Sequence, residues 1–254
     1  MSRLPALKST FKTRLLLALY DGEKKVSDLE KITQTVGTTI LHAIKELEQM
    51  ELTTKTDGIY KLTPLGILEA QIYQGCYRSL NVLEKYKDFW LTHDVSCIPS
   101  DLMMNIGAIE NSNLVKSTDI DLQKVHETFV ALLSSAKTIL GISPIFHPDF
   151  VVAIKKLLAM GSNVTLIVTS TVLERLKQTD NDMITKYLPE GNLQLFLNDN
   201  ITFGLTITEQ CWSLGLSDLS RRYDYTVDLI CCGDEGLKWG HQLFRATLEK
   251  SKKI

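Results

Sequence analysis

The chain has 254 residues, 44% of them hydrophobic and 23% charged, enough apolar material to pack one large core or two ordinary ones. That composition excludes a disordered chain, a collagen-like repeat and a small disulfide scaffold. The formal net charge is −2, from 28 Lys and Arg against 30 Asp and Glu, so binding to a polyanion would need positive charge gathered locally.

The five cysteines are Cys76, Cys97, Cys211, Cys231 and Cys232. An odd count without a C-x-x-C pair, and with no leading secretory signal, predicts reduced thiols in a cytoplasm. No grouping has zinc-ligand spacing, so neither a metal nor a cofactor is expected. No apolar run reaches the ~18–20 residues needed to cross a bilayer, and no membrane partner is expected.

Taken in chain order, Lys8 to Tyr20 carries Phe11, Leu15, Ala18 and Leu19 at helical spacing, and Asp21-Gly22 ends it. Ser27 with Glu30 reads as a capping box opening a short helix to about Thr33. Thr35 then precedes Val36, Ile40, Ile44 and Leu47, an amphipathic helix ending near Met50. Two short β-like segments follow, Glu51–Lys55 and Ile59–Leu62, around Asp57-Gly58, a strong hairpin signal.

Helix, short helix, turn, helix and hairpin is the order of a winged helix-turn-helix, which leaves the outer face of its third helix free for the major groove. Off the core stripe that helix offers Thr35, Thr38, Thr39, His42 and Lys45, and the wing offers Lys55, Thr56 and Lys61. Double-stranded DNA is therefore the expected partner. A solvated helix face, or a contact with protein in place of DNA, is the competing reading. Residues Leu15 to Gly66 resemble the ArsR/MarR-like winged-helix regulators of prokaryotes, especially archaea. The resemblance rests on Val26-Ser27-Asp28-Leu29, on Leu41 through Glu48 and on Leu62-Thr63-Pro64-Leu65-Gly66. Most metal-sensing members of that class carry a Cys-rich site on a helix of the DNA domain, but residues 1–62 contain no Cys, so metal sensing is not implied.

From Pro64, residues Leu65, Leu68, Ile72, Cys76, Leu80, Leu83, Tyr86 and Trp90 step by 3 or 4. This predicts a long linker helix over 64–92 that pairs with a second copy, giving a homodimer; a helix docked on the chain's own core is the competing reading. Gly66 and Gly75 each weaken such a helix by about 1 kcal/mol relative to Ala.

The remainder, 93–254, reads as α/β. Expected helices cover Leu122–Ser135, Asp149–Met160, Leu173–Leu188 and Asp234–Glu249. Expected strands cover Lys137–Ser143, Asn163–Thr169, Leu193–Leu197, Thr202–Thr208, Cys211–Leu216 and Thr226–Cys231. A mixed sheet with helices on both faces follows. The stretch Ala159 to Val168 resembles the phospholipase-D-like fold, which similar sugar-sensing archaeal regulators use as a sensor. Catalysis in that family requires His-x-Lys. The residues two places after His42, His93, His126, His147 and His241 are Ile44, Val95, Thr128, Asp149 and Leu243, so the resemblance implies an inactive version. No dinucleotide fingerprint, P-loop or nucleophile elbow is present, and no enzyme is expected. His147 and Asp149 read as ordinary polar residues before a helix.

Residues Ile98 to the C-terminus also resemble the middle or C-terminal domain of archaeal methanogenesis regulators. The carrying residues are Ile98-Pro99 with Ile106-Gly107, Ile142-Ser143-Pro144 with Phe146, Gly204 to Thr208, Trp212 to Leu216, Tyr223-Asp224 with Asp228-Leu229-Ile230, and Trp239-Gly240 with Leu243-Phe244. That resemblance implies transcription regulation but brings no ligand and no catalytic residue. Open α/β sheets bind ligands at the carboxyl ends of their strands, which nominates Ser143, Pro144, Thr169, Ser170 and Asp199 for a small-molecule effector. Arg221 and Arg222 are added as anion partners.

The expected whole is thus a winged helix-turn-helix over 1–63, a linker and dimerisation helix over 64–92, and a mixed α/β effector domain over 93–254. Charge agrees in sign. Residues 1–62 hold 10 Lys and Arg against 8 Asp and Glu, and the remainder holds 18 against 22.

Overall fold

In the computed structural model, which describes residues 11–134 and 136–254, the chain divides into two compact units, residues 1–84 and 85–254. Residues 8–10 of the first expected helix, and Ser135 at the end of a later one, lie outside the described residues.

The first unit is α1 (Phe11–Tyr20), α2 (Val26–Thr33), α3 (Gly37–Gln49), β1 (Thr53–Thr56), β2 (Ile59–Leu62) and α4 (Pro64–Lys85). It is a winged helix-turn-helix. Its core is the apolar stripe of each helix closed by the wing: Leu15, Leu16, Leu19, Leu29, Ile40, Ile44, Leu47, Leu52 and Tyr60. Two start signals differ from expectation. α2 begins one residue before Ser27, and the backbone N–H of Lys25 donates to Asp28 Oδ2 at 3.1 Å, so Asp28 takes the role expected of Glu30. α3 begins at Gly37, and Thr35 sits in the preceding turn with its hydroxyl donated to the Thr33 carbonyl. The wing turns at Asp57 and Gly58, φ +51° and +79°, the left-handed pair of a tight hairpin.

Thr63 and Pro64 start α4. The Thr63 hydroxyl accepts from the Gly66 N–H at 3.1 Å, and Pro64 occupies a first turn that needs no donor. The expected continuous helix over 64–92 is two helices, because α4 ends at Lys85 and α5 (Lys87–Thr92) begins anew after Tyr86, φ −116° and ψ +30°. Tyr86 is buried in the second unit, and its hydroxyl donates to the Ser112 carbonyl. Burying an aromatic ring with its polar tip satisfied outweighs continuing a helical seam.

The second unit continues with α6 (Ser100–Met104), a 3-10 turn Ile106–Ile109, β3 (Asn113–Lys116), α7 (Lys124–Leu133), β4 (Thr138–Ser143), α8 (Pro148–Ala159), β5 (Asn163–Val168), α9 (Ser170–Glu190), β6 (Leu193–Leu197), β7 (Gly204–Ile207), β8 (Cys211–Gly215), β9 (Val227–Cys232), α10 (Asp234–Leu248) and β10 (Lys252–Lys253). Eight strands form one sheet in the order β10-β6-β5-β4-β7-β8-β9-β3. β4, β5 and β6 are parallel, joined through helices, while β7, β8, β9 and β3 are antiparallel. This is the mixed α/β sheet expected. The short edge strands β3 and β10 are additional.

One apolar layer packs Leu133, Ile139, Leu158, Val164, Val168, Val172, Leu176 and Tyr187 from β4, β5 and the helices α7, α8 and α9 around them. On α10, Gly240 permits close approach to Trp212, since a Cβ there would meet the indole at 2.5 Å. Trp212 stacks on Trp239 at 5.6 Å, with its N–H donated to the Gly236 carbonyl.

Cysteine usage departs from expectation. Cys211 and Cys232 are joined as a disulfide, while Cys76, Cys97 and Cys231 are free. The two partners face each other directly across β8 and β9, with Cα atoms 4.2 Å apart. Sequence spacing hides this pairing because sheet register alone creates it. For these two residues the expectation of reduced thiols is corrected.

Candidate nucleic-acid interface and ligand cavity

Helical periodicity sets the exposed face of α3. In α3 the residues Ile40, Ala43, Ile44 and Leu47 are buried. The opposite side leaves Thr38, Thr39, Leu41, His42 and Lys45 exposed. Two short hydroxyls, an imidazole and an ammonium therefore share one outward face. Of the two acidic residues of that helix, Glu46 and Glu48, Glu46 is engaged: it pairs with Lys12 at 2.5 Å and lies 3.6 Å from His42 Nδ1. The Lys12 hydrogen bond holds the Glu46 carboxyl below its ordinary pKa. On the wing, Lys55 and Thr56 are exposed, with the Lys55 ammonium 5.3 Å from the Tyr60 ring centre. Lys61 is exposed and 3.9 Å from Glu23. Seven of the eight residues expected at DNA thus lie on α3 or the wing. Thr35 is half-buried in the turn before α3.

The second unit holds a cavity of about 530 Å³, within the usual range for small-molecule sites. It opens at the carboxyl ends of β4 and β5, where Ser143 and Val168 line it. Most of its wall is apolar, including Phe129, Phe146, Phe150, Ile154, Leu166 and Leu176. Strand alternation supplies the polar floor. Gly204 and Thr206 of β7, Ser213 and Gly215 of β8 and Asp228 of β9 all face it. Gly204 and Gly215 are cross-strand partners. A Cβ at Gly204 would meet the Tyr223 hydroxyl at 2.6 Å, and one at Gly215 would collide with the same oxygen. The paired glycines therefore make the room that Tyr223 occupies.

Asp228 is 7% exposed, and the Ser213 hydroxyl donates to its carboxyl at 2.6 Å. Burial pushes the Asp228 pKa up to about 6 against the pull of that hydrogen bond, with the nearby Asp224 adding to the rise. Burial likewise raises the Tyr223 phenol, and Asp228 and Asp224 reinforce it.

At the rim stand three further polar groups. His126 from α7 places Nε2 3.1 Å from Asp149 Oδ2, and His147 places Nδ1 3.9 Å from the same oxygen. His147 also caps α8, its Nδ1 accepting from the Asp149 N–H at 3.3 Å. The two imidazoles lie 4.7 Å apart, and both rings contact Phe150.

Of the residues nominated for an effector, Ser143 lines the cavity, with its hydroxyl donated to the Ile145 carbonyl. Pro144 follows it but is not part of the wall. Thr169, Ser170 and Asp199 form a separate cluster at the end of β5. Thr169 caps α9. Asp199 accepts from the Ser170 N–H at 2.6 Å and from its hydroxyl at 2.7 Å, which holds its pKa low. Arg221 and Arg222 are exposed in the loop between β8 and β9, and Arg222 pairs with Asp218 at 3.5 Å. His126, Tyr223 and Asp228 are not among the residues nominated for a ligand from sequence. One signal was legible: Asp228 interrupts the apolar run Val227 to Cys231, where a charge has no ordinary place.

A winged helix followed by an α/β unit with a ligand-sized cavity is the class of architecture on view. The chain belongs to the family described as methanogenesis regulatory protein FilR1. The model of that family's middle domain matches residues 122–250, and the model of its N-terminal domain matches residues 5–81. The methanogenesis regulatory protein FilR1 of Methanothrix harundinacea (strain 6Ac) is 30% identical over an alignment 254 positions long that covers 97% of this chain and 56% of that protein. The chain thus spans little more than half the length of this relative. Among solved structures, the archaeal chromatin protein TrmBL2 matches over 96% of this chain and 93% of its own, at 20% identity and a TM-score of 0.47. Nuc from Salmonella typhimurium, a phospholipase D family member, matches over 56% of this chain and 97% of its own, at 11% identity and a TM-score of 0.40. Among the described residues, no helix is long and apolar enough to cross a membrane.

Proposed function

We propose that the chain is a transcription regulator of the cytoplasm that binds double-stranded DNA as a homodimer and is not an enzyme. Thr38, Thr39, His42 and Lys45 would meet base edges and phosphates in the major groove, while Lys55, Thr56 and Lys61 hold the backbone. The observation that carries this reading is the single outward face of α3, polar and basic, beside a wing with two exposed lysines. Membership of a regulatory family supports it. Thr35 is left out of the reading set because its hydroxyl is already donated to the Thr33 carbonyl.

The cavity of the second unit is the effector site in this reading. Its apolar wall and polar floor suit a small molecule with an apolar body. Such a ligand would change the spacing of two recognition helices by binding one arrangement of the dimer better than the other. Ser143 is the nominated residue that such a ligand would touch. The cluster of Thr169, Ser170 and Asp199 and the two arginines bear on it only from outside the wall.

A gel shift with the DNA upstream of the protein's own coding region tests the proposal. Retardation at low salt is the expected result, weakened several-fold by Lys45→Ala and by Lys55→Ala. No retardation at low salt would exclude DNA as the partner. Retardation insensitive to salt would favour a protein contact, because phosphate contacts release counterions.

A further inference from the structure

The cavity rim carries a feature that effector binding does not require. His126, His147 and Asp149 each offer one ligand atom, and these atoms lie within 4.8 Å of one another. They come from α7, from the residue before α8 and from its first turn, so β4 and its flanking helices bring them together. We propose that these three side chains hold one divalent transition-metal ion of the zinc class, leaving a coordination position open towards the cavity.

The donor set fits such an ion. Two neutral imidazoles and one carboxylate suit zinc, cobalt, nickel or ferrous iron better than calcium or magnesium, which take oxygen ligands. Two of the three donor spacings come near what such an ion needs, and the third pair lies within 4.8 Å. Metal–ligand bonds of about 2.0–2.1 Å at tetrahedral angles separate neighbouring donor atoms by roughly 3.3–3.4 Å. The observed separations from Asp149 Oδ2 are 3.1 Å to His126 Nε2 and 3.9 Å to His147 Nδ1. The contact that the ion would displace is the 3.3 Å hydrogen bond from the Asp149 N–H to His147 Nδ1, which is long for its type. His126 and His147 are half-buried while Asp149 is exposed, so solvent metal has a path in. All three side chains line the cavity. Three protein ligands leave the fourth tetrahedral position for water or for an oxygen, nitrogen or sulfur donor on a molecule in the cavity. The ion would also tie α7 to the start of α8 across the mouth.

The site shares the cavity with the proposed effector but stands separately, since metal binding is read without DNA and without effector. The full chain, stripped with a chelator, is titrated with cobalt(II) by visible absorption and with zinc(II) by calorimetry. The expected result is one ion per chain, with a cobalt spectrum lacking thiolate charge-transfer bands. His126→Ala and Asp149→Asn should each weaken binding at least about 100-fold, while His241→Ala, on the exposed face of α10, leaves it unchanged. Zinc should raise the melting temperature of the native chain and not of His147→Gln, with far-UV circular dichroism reporting that each variant folds. Absence of saturable binding at micromolar metal, or undiminished binding in the His126 and Asp149 variants, would overturn the proposal. Thiolate bands would overturn it too, by placing the ion on cysteine.

Discussion

Two glycines on one helix show how differently the same residue acts at two positions. A Cβ at Gly66 would collide with the backbone carbonyl of Leu52, whereas a Cβ at Gly75 would meet nothing within 4 Å. The Leu52 carbonyl already accepts from the Thr63 N–H at 3.0 Å, so it is fixed in place and unable to yield. Gly75→Ala should therefore stabilise by about 1 kcal/mol, the helix-propensity difference. Gly66→Ala should cost several times that, because backbone must move. Denaturant titration of the two variants checks the opposed signs. Asp228 is the second residue-scale case. Its pKa in the folded chain, about 6, lies above its unfolded value near 3.8. The folded state thus binds a proton more tightly, and its contribution is fully present below about pH 4 and lost as pH rises through 6. A difference of that size is worth roughly 2–3 kcal/mol. Asp228→Asn, which still accepts from Ser213, should melt several degrees higher at pH 7.5 and flatten the stability profile between pH 4 and 6. A variant that melts lower at pH 7.5 would show that the charged form is satisfied in place.

At the scale of elements, what was legible in the chain was whatever periodicity and turn chemistry encode locally. The core stripe of α3, the Asp57-Gly58 wing turn, the Pro64 start of α4 and the apolar strands β4 and β5 all follow from neighbours in sequence. What could not be read came from distance. β3 and β10 are four and two residues long and lack a period of their own. The break at Tyr86 exists because Ser112, 26 residues on, receives its hydroxyl. The Cys211–Cys232 pair and the meeting of His126 with His147 depend on sheet register and helix packing. Of the nominated effector residues, only Ser143 is on the cavity wall. The general rule about strand ends points to a region, while the side chains that fill it are chosen by tertiary packing. The first turns of the α4 seam are exposed among the described residues. Leu65, Leu68 and Ile72 are 51%, 59% and 66% exposed, a stripe of large apolar side chains at steps of three and four. We expect Ile72→Glu to shift the chain from dimer to monomer in sedimentation and to weaken DNA binding with it. A dimer of unchanged stability in that variant would move the interface elsewhere.

For the whole molecule, a net charge of −2 conceals a slightly basic first part and an acidic remainder. A small local excess gives a weak long-range pull, so in the proposed dimer affinity for DNA would come from a few placed contacts doubled by two-fold symmetry. On that proposal, binding would depend on particular lysines rather than on bulk charge. Fluorescence anisotropy of the chain's own upstream DNA across a salt series tests this most directly. The native chain should show an apparent affinity that falls steeply with salt. Lys45→Ala and Lys55→Ala should each lower the slope of log affinity against log salt by about one for each phosphate left without its lysine. A slope near zero in the native chain, or one unchanged in both variants, would contradict the assignment of α3 and the wing to DNA.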